Sequence, residues 1–335
     1  MKKTIYMICA VLAFAACEMR FELDIPKEES KIFAFCVPGA RDSTAILVDL
    51  ARFIGDSISF DRSKVDIDIR VNGERQEVMY QPEYTFPYDP SDHTVPEESF
   101  YITRKLDTGD EVSLTVSYPG LESVSASTVV PERPKDVSFS IETARRDEWA
   151  TSEATFTLEY SDPSDDTYYA VVFRQKCHEF RVWGYIESNG EVITDTTDYI
   201  DWNPYVIDCE FDPFQSKPEY NFDASNNSTG LIFWKNSDAL DNDGKKTIFF
   251  TSYTEHDVSY HENDLNHGYL DISYEATIYR ISEELYRYYQ TNMLANENSL
   301  SYFGMSRSNI TFSNIKGGFG ILGGMAGTVL TADVD

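Results

Sequence analysis

No stretch of this sequence is apolar for the roughly 20 residues that a membrane-crossing helix needs. Positive charge is scarce: 28 Lys and Arg stand against 57 Asp and Glu, a formal net charge of −29. Such a field repels phosphate backbones and anionic headgroups, which argues against nucleic-acid binding and against an electrostatic membrane contact. Histidine and cysteine are also few, five of each. No Gly-x-Ser-x-Gly elbow occurs, and no Cys/His pair has the local support that nucleophilic catalysis needs. Acidic pairs are too many for any one to be nominated as a glycosidase dyad. The expectation is a protein that is not an enzyme, with no catalytic residue, cofactor or metal ligand. Aromatic residues, in contrast, make up 14% of the chain, which is what disordered chains lack, so the body folds.

The first seventeen residues set the location. Met1-Lys2-Lys3 is a short positive start, Thr4 to Ala16 is an apolar run, and Ala15-Ala16-Cys17 places two small residues before a cysteine. The run is too short to span a bilayer and reads as a secretory signal. A cysteine behind a small pair further reads as a lipobox: cleavage falls between Ala16 and Cys17, and the Cys17 thiol receives a diacylglyceryl group. Phe14 stands where leucine is commoner, and the plainer alternative is an ordinary signal with a chance cysteine. Several acyl chains hold stably at about 0.8 kcal/mol per buried methylene. The expected protein is therefore lipid-anchored on a membrane surface, with its whole body in water on the periplasmic or the outer side.

Short strands dominate the rest. Phe21, Leu23 and Ile25 alternate with polar residues, as do Val65, Ile67, Ile69 and Val71, and Asn72-Gly73 supplies a tight hairpin turn. Further strands are expected at 31–37, 45–53, 76–80, 99–106, 111–118 and 121–130. That spacing predicts an immunoglobulin-like or transthyretin-like β-sandwich over 17–130. Pro131-Glu132-Arg133-Pro134 cannot continue a ladder, so 131–135 reads as a linker to a larger β-rich domain, 136–335. In that domain strands are expected at 137–141, 154–160, 168–177, 180–186, 191–194, 230–234, 247–253 and 269–279, and one short helix at about 283–296. Ser282 is its N-cap, and Ile281, Leu285, Tyr288, Tyr289 and Met293 share one side. The tail, 317–330, predicts a closing strand with a bulge or tight bend.

Gly318 to Gly323 fits G-x-G-x-x-G, but no helix and distant acid follow it, so a dinucleotide site is not expected. His256, His261 and His267 are spaced five and six apart among Asp257, Glu262 and Asp264, which is not the i, i+4 spacing of a zinc helix, and a solvated loop is expected. Asp241-Asn242-Asp243-Gly244 and Asp162-Pro163-Ser164-Asp165-Asp166 lack the acid and bidentate Glu of a calcium loop and read as acidic turns. Cys177 and Cys209 could close a disulfide in an oxidising compartment, whereas Cys36 reads as a small buried side chain. The loop aromatics Tyr80, Tyr84, Phe86 and Tyr88, and Trp202 with Tyr205, are the expected recognition surfaces, by loop position alone.

Cys17-Glu18 followed by Phe21-Glu22-Leu23-Asp24-Ile25-Pro26, Tyr118-Pro119-Gly120 with Ala126 to Pro131, the run Leu285-Tyr286-Arg287-Tyr288-Tyr289, and Ser313-Asn314-Ile315-Lys316-Gly317-Gly318-Phe319-Gly320-Ile321 form a pattern. It resembles the Bacteroidota lipoproteins of domain-of-unknown-function family four-two-four-nine, over nearly the whole mature chain. The resemblance implies an outer-membrane lipoprotein often encoded beside TonB-dependent receptors, with no attributed catalytic residues. The expected function is an accessory or ligand-binding lipoprotein working with a TonB-dependent β-barrel in nutrient uptake. The alternatives are a structural or adhesive, pilus-associated lipoprotein, for which the apolar tail would be a donor strand, and a surface hydrolase.

Overall fold

A computed structural model describes residues 29–52, 59–81, 99–145, 151–186, 189–201, 205–207, 209–211, 231–255, 258–263, 266–297 and 311–333. It is mainly β, with two sandwiches and, among the described residues, a single α-helix. The first sandwich pairs a sheet of β1 (Lys31–Cys36), β2 (Thr44–Ala51), β5 (Met79–Gln81), β6 (Ser99–Ile102) and β20 (Phe319–Leu322) with a sheet of β3 (Asp66–Val71), β4 (Glu74–Arg75), β7 (Glu111–Ser117) and β8 (Val124–Val129). The alternation seen in the sequence is the cause. Ile67, Ile69 and Val71 of β3 and Val112, Leu114 and Val116 of β7 all turn inward, while Asp68 and Arg70 pair with each other outside. Asn72 and Gly73 both have positive φ, as the tight hairpin requires.

The second body is larger. One sheet holds β9 (Lys135–Arg145), β10 (Thr151–Ser161), β14 (Glu210–Phe211), β16 (Leu240–Asn242) and β17 (Lys245–Glu255). The other holds β11 (Tyr168–Ile186), β12 (Val192–Asp201), β13 (Tyr205–Val206), β15 (Ile232–Lys235), β18 (Val258–Asn263), β19 (Asn266–Ile281) and β21 (Met325–Asp333). β11 is one strand of 19 residues where the sequence predicts two. His178 and Glu179 interrupt its apolar pattern, yet its ladder with β19 runs from Tyr168 opposite Ile281 to Val182 opposite His267. Between the sheets lies an aromatic core of Phe156, Tyr160, Tyr169, Phe173, Trp234, Phe250 and Tyr274.

The tail is two strands, not one. β20 pairs in parallel with β1, completing the first sandwich, and after Gly323-Gly324 β21 pairs with β19 in the second body. The chain therefore crosses between the bodies at 131–134, returns to place Ile315 and Leu322 in the first core, and leaves again at 323–324. A single break at 131–135 does not capture this, because the pairing of Phe33 with Phe319 leaves no local signal. Glycine makes the joint possible. Gly320 has φ +109, and a side chain there would strike the Ala34 carbonyl of β1. Asn314 clamps β20 by donating to the Leu322 carbonyl at 2.8 Å and accepting its N–H at 3.0 Å.

The helix α1 (Glu283–Glu297) is capped as expected, the Ser282 hydroxyl accepting from the Leu285 N–H at 3.3 Å. Its Leu285, Tyr286 and Met293 join Ala170, Val172, Phe233 and Ile321, with Phe35 and Val37 of the first sandwich against them, in a third core that fills the joint. Residues 311–315, which lead into β20, form no ladder of their own.

Candidate functional site

Cys17 and Ala16 lie outside the described residues, as do the strand expected at 21–25, Tyr84, Phe86, Tyr88, Trp202 and His256. Tyr80 is in β5, 40% exposed and against Phe100 at 5.1 Å, and Tyr205 is in β13. The histidine segment is not a solvated loop: β18 and β19 form a hairpin that sets His261 opposite His267 in the ladder. Among the described residues no three His, Cys, Asp or Glu gather as a metal site. Cys177 and Cys209 are thiols buried in the aromatic core. Cys36 is buried in the first core, where desolvation pushes its thiol up to about 12 and leaves it inert.

The two acidic turns meet one cation. Lys246, with a side chain 6% exposed, places Nζ 2.8 Å from Asp165 and 2.9 Å from Asp241. These carboxylates answer a buried ammonium, which accounts for both turns without calcium. Beside them, Asp162 accepts from Tyr169 Oη at 2.6 Å, Thr167 Oγ1 at 2.8 Å and the Ser164 N–H at 3.0 Å. Burial pushes its carboxyl up, and these donors outweigh that and hold it below the usual carboxylate range.

The site the sequence does not reveal lies where the two bodies fail to touch. The outward face of β11 and β19 begins apolar, with Ala170, Val172 and Ile281 in the third core, then turns polar as Arg174, Lys176, Glu275 and Thr277 follow at period two. Opposite stand the β1–β2 turn with Arg41 and Asp42, the β6–β7 connection with Lys105 and Leu106, and Arg133 of the linker. Between them is a cleft of about 430 Å³. That lies within the ~300–1,000 Å³ typical of small-molecule sites.

Its electrostatics invert those of the whole chain. Five cations, Arg41, Lys105, Arg133, Arg174 and Lys176, face only two carboxylates, Asp42 and Glu275. Arg174, 15% exposed, is held through Nη1 alone, 3.4 Å from Glu275 and 3.3 Å from Thr277 Oγ1. Its Nε is buried and has no hydrogen-bond partner. Glu275 also takes Lys176 at 3.1 Å, and Lys105 meets Asp42 at 2.7 Å in an exposed, screened pair. Tyr279 forms an aromatic wall, with room made for it by Gly327, whose added Cβ would lie 2.5 Å from the ring. Burial raises the phenol pKa of Tyr279 against the opposing pull of Arg174 and Arg41, so the ring is neutral near pH 7. The cleft can therefore offer charge-assisted donors beside an apolar wall.

No helix among the described residues is long and apolar enough to cross a membrane. No curated protein matches the chain. A family model described as "Domain of unknown function (DUF4249)" matches residues 18–330, nearly the whole described body, and the chain belongs to that family.

Proposed function

We propose that this chain is a lipid-anchored binding lipoprotein of the outer membrane, tethered through Cys17 and working with a TonB-dependent transporter in nutrient uptake. The observation that carries the binding reading is the cleft of about 430 Å³ between two bodies that the tail and the third core hold together. A site between joined bodies keeps its walls in register, which lowers the ordering cost of binding. The lipobox Ala15-Ala16-Cys17 supports the anchor. The adhesive alternative has less support, since the apolar tail that suggested a donor strand is seated in the chain's own sheet as β20.

A gentle-detergent pull-down from outer membranes tests the reading. A β-barrel of the TonB-dependent class, recovered in near-equal amount, is the expected result. Recovery of the lipoprotein alone, or of a filament subunit, overturns the transporter partnership. For the anchor, Cys17→Ala is expected to leave the membrane fraction, and its retention there contradicts lipidation at Cys17.

A further inference from the structure

We propose that the cleft between the two bodies binds a small organic anion, with its carboxylate or phosphate group held by Arg174 and the cations of the facing loops. The proposal rests on the binding reading above and names its ligand class.

Three observations converge. The first is contrast: a chain of net charge −29 concentrates a surplus of three positive charges on one concave surface. The cations there are not simply answering neighbouring acids. Among the described residues Arg133 forms no ion pair, and the single Glu275 is shared by Arg174 and Lys176. The second is an unmet donor. Arg174 carries five N–H donors, and its buried Nε has no partner, a state that costs free energy unless something else accepts from it. A planar carboxylate or a phosphate accepts from two guanidinium nitrogens at once, the geometry this side chain can give through Nε and Nη2 while Nη1 stays on Glu275 and Thr277. The third is size and wall chemistry. A cleft of about 430 Å³ exceeds a bare oxyanion, and Leu106, Val329 and the Tyr279 ring give it an apolar side. A ligand with both an anionic group and a carbon skeleton fits that combination. Neither a metal cation nor a polyanion does, the first being repelled locally and the second by the rest of the surface.

Isothermal titration of the mature chain with inorganic phosphate, citrate, glucuronate and the neutral counterpart glucose tests this. The expected result is saturable one-to-one binding of citrate or glucuronate, with phosphate weaker and glucose silent. Arg174→Gln should weaken that binding by about tenfold or more, the loss of one charge-assisted contact. Because the Arg174 side chain is largely buried against Glu275 and Thr277 of β19, the exposed changes Lys105→Gln and Arg133→Gln repeat the test without touching a core, each weakening binding severalfold at unchanged melting temperature. Glucose binding as well as glucuronate would overturn the anion class while leaving a binding protein in place. Absence of saturation with every probe, or anion binding indifferent to all three substitutions, would overturn the site itself. The pull-down result bears on the partner alone, so the two failures are distinguishable.

Discussion

The two bodies of this molecule use the same strand chemistry to build different cores. The first is aliphatic: Ile32, Ile46, Ile69, Leu114 and Val116 fill it, with Phe100 and Tyr118 as buried aromatics at its margin. The second is aromatic, with Phe156 stacked on Phe173 at 5.0 Å and Phe250 edge-on to Phe173 at 5.1 Å. It also buries a polar network: Trp234 Nε1 donates to Tyr160 Oη at 2.9 Å, which donates to Asn236 Oδ1 at 2.8 Å, and the Asn236 amide donates to the Ser164 carbonyl at 2.7 Å. An aliphatic core is specified by volume and alternation, whereas a core of this second kind is specified by hydrogen bonds whose loss leaves partners buried and unmet. Where the two meet, a third core joins them at one end and a basic cleft opens at the other.

Four changes would break or sharpen this contrast. Removal of the ring at the centre of the aromatic core, Phe156→Ala, should have the largest effect, about 4 kcal/mol by chemical denaturation. A loss under about 1 kcal/mol would show that the core is loosely packed. Gly320→Ala attacks the aliphatic sandwich from its distant tail and should cost about 3 kcal/mol through overpacking on β1 and a strained φ. If that variant melts like the parent, β20 is not part of the first sandwich. Tyr160→Phe deletes one oxygen and no volume, and should cost about 2 kcal/mol because Trp234 and Asn236 lose their partner in a dry site. The smallest effect concerns pH. Since the Asp162 carboxyl lies below its unfolded value of about 3.9, its contribution is fully present above that pH and is lost as pH falls through the folded pKa. The stability gap between wild type and Asp162→Asn, measured by urea midpoint, should hold constant from pH 7 to 5 and close below pH 4. A gap that widens there has the wrong sign for this account.

The same contrast explains what could be read in advance. Alternation over Val65 to Val71 and Glu111 to Ser117, the Asn72-Gly73 turn and the helix behind Ser282 are local signals, and the structure bears them out. The strand expected only over 191–194 instead runs on as β12 to Asp201, because polar Thr and Asp residues pair along β11 without an apolar period. The glycines of the tail match the spacing of a nucleotide motif, but their meaning is close approach of backbone to backbone, which depends on a partner almost 290 residues away. The cleft was least legible. Its cations come from four segments, and only Arg174 and Lys176, spaced by two in an acidic chain, carry a sequence signal.

The cleft exists only while the two bodies act as one unit and keep its walls in place. Scanning calorimetry of the mature chain tests this most directly. One cooperative transition, with calorimetric and van't Hoff enthalpies in agreement, is the predicted result, and Gly320→Ala should divide it. Two separate transitions in the unaltered protein would contradict the account, because bodies that melt independently do not hold a fixed site between them.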